Sequence, residues 1–96
     1  MKMFWIIYAG PRPARVTEAL TSLGAPGYTE WPHAHGAGAH GRMDGTRAWP
    51  GEETVITAVV PADRAAELAD GLEGLQSILL AGERLHFAVL PVERFR

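Results

Sequence analysis

Cysteine is absent, which excludes a disulfide framework and any thiolate metal site and leaves His, carboxylate and carbonyl groups as the available metal ligands. A basic excess is also missing: 9 Lys and Arg against 11 Asp and Glu give a net charge of −2, with a pI near 6.0. Nucleic-acid binding needs a clustered basic surface, so no nucleic-acid partner is expected. Long apolar runs are lacking as well. Met3–Ala9 is too short to cross a bilayer, and Gly10-Pro11-Arg12-Pro13 interrupts it before it can become a signal-peptide core. The expectation is a protein without membrane insertion, and the absence of thiols suits the reducing cytoplasm.

What is present is ordinary globular material. Apolar residues make up 47% and charged residues 21% of 96 residues, which suits one packed domain over residues 1–96. Met3-Phe4-Trp5-Ile6-Ile7-Tyr8 is continuously apolar and reads as a strand covered on both faces. Pro13 suits a first helical turn, and Val16, Ala19, Leu20 and Leu23 then form one apolar stripe that Gly24 ends. Tyr28–His35 reads as a strand that Pro32 confines to an edge, an end or a bulge. Gly36–Gly51 has five glycines and no periodicity and reads as a long loop; a loop of that length is a functional or disordered one. Thr54–Val60 is the clearest strand. Pro61 and Asp63 then open a second helix with the stripe Ala65, Leu68, Ala69 and Leu72, weakened toward its end by Gly71 and Gly74. Leu85–Leu90 is the last strand, stopped by Pro91.

The order β-α-β-loop-β-α-β is the α+β ferredoxin-like pattern βαββαβ, with two helices on one face of a four-stranded antiparallel sheet. Helices cover one face only, yet the first and third strands are apolar throughout. Something else must cover the other face, and self-association is the simplest answer.

Several residues carry candidate chemistry. Gly36-x-Gly38-x-x-Gly41 has the spacing of a dinucleotide fingerprint but neither follows a firm strand nor opens a helix, so it is not a Rossmann motif. Its glycines either form a backbone nest for an anion or only keep the loop flexible. His33 and His35 fall on one face if the strand continues, and His40 follows, so three imidazoles can converge on Zn²⁺, Cu²⁺ or Ni²⁺; the spacing matches no established zinc motif, and solvated loop histidines are the alternative. His86 reads as a hydrogen-bonded strand residue. Glu52 and Glu53 stand where the loop re-enters the third strand, and Trp31 and Trp49 flank it. Ser22 and Ser77 have no triad context, so an enzyme would have to work with His and Glu alone.

Four segments in order resemble the nitrogen-regulatory PII family. Gly27-Tyr28-Thr29 is similar to the turn that opens the second strand of those proteins, Gly36–Gly41 to the start of their T-loop, Val59-Val60-Pro61-Ala62-Asp63 to the end of their third strand, and Pro91-Val92-Glu93-Arg94 to the segment after the last core strand. The resemblance implies a homotrimer with ligand clefts between subunits, a ligand set of Gly27, Thr29, Gly36, Gly38, Gly41 and Arg94, and a protein target contacted through the 36–51 loop. It implies a regulator and not an enzyme. It also has gaps. The PII loop before the last strand carries glycines and a lysine that contacts nucleotide phosphates, whereas Gln76–Glu83 has no lysine and little glycine; the basic tail is cut at Phe95-Arg96; and Arg42–Gly51 has no tyrosine for uridylylation. The likeness is therefore to a divergent PII-like branch, with an adenine nucleotide, a small anion or a divalent metal as the ligand and lost or weak nucleotide binding expected. Arg84, Arg94 and Arg96 are partial substitutes. A CutA-like metal-binding trimer and a small dimeric α+β barrel enzyme are the alternatives.

Overall fold

The structure, a computed structural model, describes residues 1–38, 41–42 and 53–96. The elements in chain order are β1 (Lys2–Ala9), α1 (Ala14–Ser22), β2 (Thr29–Ala34), β3 (Ala37–Gly38), β4 (Gly41–Arg42), β5 (Glu53–Val60), α2 (Ala65–Ser77) and β6 (Arg84–Pro91), with a 3₁₀ turn at Ala62–Arg64 leading into α2. Four strands form one antiparallel sheet in the order β2-β5-β1-β6. The apolar run at the N-terminus is thus interior, and the strand containing Pro32 is an edge, as the sequence implies.

The helices share one core with one face of the sheet. Phe4, Ile6 and Tyr8 of β1 meet Ile56, Ala58 and Val60 of β5, Leu85 of β6, Val16 and Leu20 of α1, and Leu68 and Leu72 of α2. Each large side chain buried this way contributes about 1.5–3 kcal/mol. Helix α1 ends as its sequence dictates: Gly24 adopts φ 86°, the Gly24 N–H bonds the Thr21 carbonyl at 3.1 Å, and the Ala25 N–H bonds the Leu20 carbonyl at 3.0 Å, which is a Schellman cap. Gly71 does not break α2. A Cβ at that position would overlap the side chain of Leu23, the residue that caps α1, so a cost of about 1 kcal/mol relative to alanine permits the close approach.

The other face of the sheet is uncovered within the protomer. The register puts Trp31, Val55, Ile7 and His86 in one row and Thr29, Thr57, Trp5 and Ala88 in the next. Trp5 is 42% and Trp31 49% exposed, and their rings stack with centroids 6.4 Å apart.

Two local expectations change. Trp31 pairs Val55 and Ala34 pairs Glu53, so three steps on β2 oppose two on β5, and His33 has φ 63°. This is a bulge at Pro32-His33, where proline cannot donate to a ladder. It breaks the period-two alternation, and β2 stops before His35, so the strand does not set His33 and His35 on one face. The start of the expected long loop is also not irregular: Ala37 pairs Arg42 and Gly38 pairs Gly41 as a short hairpin. The remaining expectations for the loop, including those on His40, Trp49 and Glu52, lie outside the described residues.

Candidate functional site

The sequence-derived ligand set divides between the two ends of the sheet. At one end, Gly27 and Thr29 line a groove of about 410 Å³ together with Met3, Tyr28, Val59 and Phe95. Tyr28 is 46% and Phe95 62% exposed, so two aromatic rings are available beside a backbone that is open at Gly27, where an added Cβ would meet nothing within 4 Å. The C-terminal segment reaches this end because the Val92 N–H bonds the Met1 carbonyl at 3.1 Å; Arg94, exposed, adjoins Phe95. Aromatic walls, a threonine hydroxyl and an accessible main chain suit a planar heterocycle with polar edges.

At the other end, Ala9, Glu53 and Arg84 stand side by side on three strands. Gly36 lies there against the Glu53 carboxylate, which would have to move aside for an added Cβ, and Gly38 and Gly41 pair in the hairpin just beyond. His35 is exposed. Among the described residues no three His, Asp or Glu side chains gather as metal ligands, and His40 lies outside them. His86 is exposed on β6, opposite Ile7.

Sequence reasoning missed the most highly connected polar group among the described residues at this end. Glu83 sits in the loop joining α2 to β6 with its side chain 1% exposed. Its Oε2 accepts a hydrogen bond from the Tyr8 hydroxyl, and its Oε1 accepts the Leu80 N–H at 2.7 Å. Arg12 Nη2 and Arg15 Nη1 lie 3.6 and 3.7 Å from the same Oε1. The Tyr8 oxygen in turn accepts the Arg12 N–H at 3.1 Å. The Tyr8 hydrogen bond, the Leu80 amide and the two guanidinium groups hold the Glu83 carboxyl below its usual range against the opposing effect of burial. Burial, with the hydrogen bond to Glu83, raises the Tyr8 phenol above its ordinary value. Glu83 is therefore an anion and Tyr8 a neutral donor across the neutral range. The signal in the sequence was a single acid in a loop read only for its missing lysine.

These directions fix a pH dependence. A depressed Glu83 contributes stability above the ordinary glutamate range and loses it as pH falls through the folded value; the raised Tyr8 contributes below about pH 10 and loses it in stronger alkali. Tyr8→Phe is expected to cost about 1.5–3 kcal/mol at pH 7, as for a lost hydrogen bond to a charged group. Urea titrations of both proteins should show the gap narrowing toward pH 3. A gap that widens in acid would mean that Glu83 is not the ionised partner.

No curated relative matches the chain. Among solved structures, CPII, a nitrogen regulatory PII-like protein from Thiomonas intermedia K12 bound to ADP and bicarbonate, is 25% identical with TM-score 0.66, covering 93% of this chain and 86% of its own. A CPII complex with ADP, AMP and bicarbonate gives 24% identity and TM-score 0.67 over the same shares. A PII-like signaling protein from Thermus thermophilus gives 24% and 0.62, covering 92% of this chain and 80% of its own. The family model described as nitrogen regulatory protein P-II matches residues 1–78, and on that extent of match the chain belongs to the nitrogen regulatory protein P-II family.

Proposed function

We propose that this protein is a PII-like ligand-sensing regulator and not an enzyme: a homotrimer that takes an adenine nucleotide, with bicarbonate or a similar small anion, in clefts between subunits. The 36–51 loop carries the response to a partner protein. One observation carries this reading beyond family membership. Gly27 and Thr29 stand at one end of β2 and Gly36 and Gly38 past the other, separated by about 20 Å at 3.3 Å per residue. A single small ligand meets both sets only if two copies of the chain supply them. The uncovered apolar sheet face supports the self-association this requires.

The fit to a nucleotide is partial. The groove at Tyr28 and Phe95 suits the base. The loop that would grip phosphates holds no lysine, and its buried charge is the Glu83 carboxylate, already matched by arginines. When bound, the nucleotide would supply the signal, and this chain's residues would hold it: Tyr28 and Phe95 the base, Thr29 a polar edge, and Arg94, next to Phe95 in the chain, a negative group.

Thermal-shift measurements with ADP, AMP, bicarbonate and zinc test the proposal, since a ligand that binds only the folded state raises its midpoint. The expected result is a shift with ADP or AMP that Phe95→Ala reduces by roughly tenfold in apparent affinity, the scale of losing one base–aromatic stack. A shift with zinc alone would favour the histidines as the site.

A further inference from the structure

We propose that Tyr8, Arg12, Arg15 and the Leu80 amide form a receptor for a small carboxylate-type anion, which the chain fills with its own Glu83, so that Glu83 is a releasable latch on the α2–β6 loop. The inference stands apart from the nucleotide reading and concerns a different set of residues.

The donors come from separate parts of the chain: the end of β1, the turn after it, the first turn of α1 and the loop itself. What brings them to one point is the anion, because both of its oxygens are engaged and its side chain is 1% exposed. The turn beneath it is cleared for that purpose. Gly10 has φ 149°, and a Cβ there would stand 2.5 Å from the Tyr8 hydroxyl and 3.1 Å from Glu83 Cγ. Any other residue would fill the space the phenol and the carboxylate use.

Apolar burial does little to hold the loop down. Ile78 is 58% and Leu80 59% exposed, and of its large apolar side chains only Leu79 packs against the core. The loop is fastened chiefly by Glu83, whose own N–H bonds the Leu80 carbonyl at 3.0 Å while its carboxylate takes the Leu80 N–H. A segment fastened mainly by one side chain, with Leu79 its one large apolar contact to the core, opens locally at less cost than the core itself. The two guanidinium contacts of 3.6 and 3.7 Å are longer than tight charge-assisted hydrogen bonds, and Arg12 is 46% exposed on its side chain. The site therefore has cationic reach to spare. Two acceptor oxygens on a planar group are what the donors match, which selects formate, acetate or bicarbonate over a bulkier tetrahedral anion.

Chemical rescue tests the receptor. Glu83→Ala is expected to lower the melting midpoint by on the order of 10 °C, and about 100 mM sodium formate or acetate should restore a large part of the loss relative to sodium chloride at equal ionic strength. Wild type, which can respond only through the cleft anion site proposed above, should shift clearly less than Glu83→Ala, and Glu83→Ala combined with Arg15→Met should shift no more than wild type. A folded Glu83→Ala that no small carboxylate stabilises, or an equal response from wild type, overturns the proposal. Should Glu83→Ala not fold, hydrogen exchange on wild type decides it. The Leu80 amide is expected to be protected yet to exchange at least about tenfold faster than the amides of β1. Exchange as slow as the core would show a fixed contact instead of a latch, and unprotected exchange would show no contact at all.

Discussion

Trp5→Glu is expected to turn the proposed trimer into a folded monomer. Trp5 lies in the middle of the open sheet face, paired with Thr57 on one side and Ala88 on the other, and it stacks on Trp31. Within one protomer the side chain is 42% exposed, so a carboxylate there remains in water and costs no more than the roughly 1 kcal/mol span of strand propensities. At the centre of a trimer the same change buries three like charges without partners. At several kcal/mol per unpaired ion the total is on the order of 10 kcal/mol, or about seven powers of ten in the association constant. Light scattering should report a trimer for wild type at micromolar concentration and a monomer for the variant, with unchanged far-ultraviolet circular dichroism. A monomeric wild type, or a variant that stays trimeric, would show that this face is not the interface.

The parts of the fold that were legible in the sequence are those set by local rules. The apolar run Met3–Tyr8 announced a central strand because so little polarity suits a strand covered on both faces; the strand is central, and its second face is open within the protomer. Gly24 announced the end of α1 because its left-handed conformation costs other residues most. Pro32 announced an edge, an end or a bulge, and the strand has both the edge position and the bulge. The parts that were not legible depend on register and on distant partners. Alternation alone placed His33 and His35 together, and the bulge at Pro32-His33 undid that arithmetic, since one extra residue reverses the face of everything after it. The hairpin at Ala37–Arg42 escaped notice because glycine-rich sequence has no periodicity to read.

The ligand set shows the same division. Gly27 and Thr29 were placed by resemblance, and the structure gives them a groove. Their separation from Gly36 and Gly38 required the sheet. Glu83 was invisible because Tyr8 is 75 residues away from it along the chain, and no spacing rule connects a strand tyrosine to an acid in a late loop. The contact fits the loop's charge: Glu83 lies against Arg12 and Arg15, where a lysine would add a third positive charge and the acid offsets the two that are there.

The absence of lysine from Gln76–Glu83 sets the expected strength of nucleotide binding. Each hydrogen bond to a charged group is worth about 1.5–3 kcal/mol, so losing two phosphate contacts weakens binding on the order of a hundredfold or more. Isothermal calorimetry with ADP, AMP and ATP, each with and without bicarbonate, measures this directly. The expected result is saturable binding of ADP or AMP in the micromolar range, with ATP no tighter because its third phosphate finds no lysine. No saturable binding of any of the three would contradict the nucleotide-sensing account, and submicromolar binding would contradict the expectation that a loop without lysine grips the phosphates weakly.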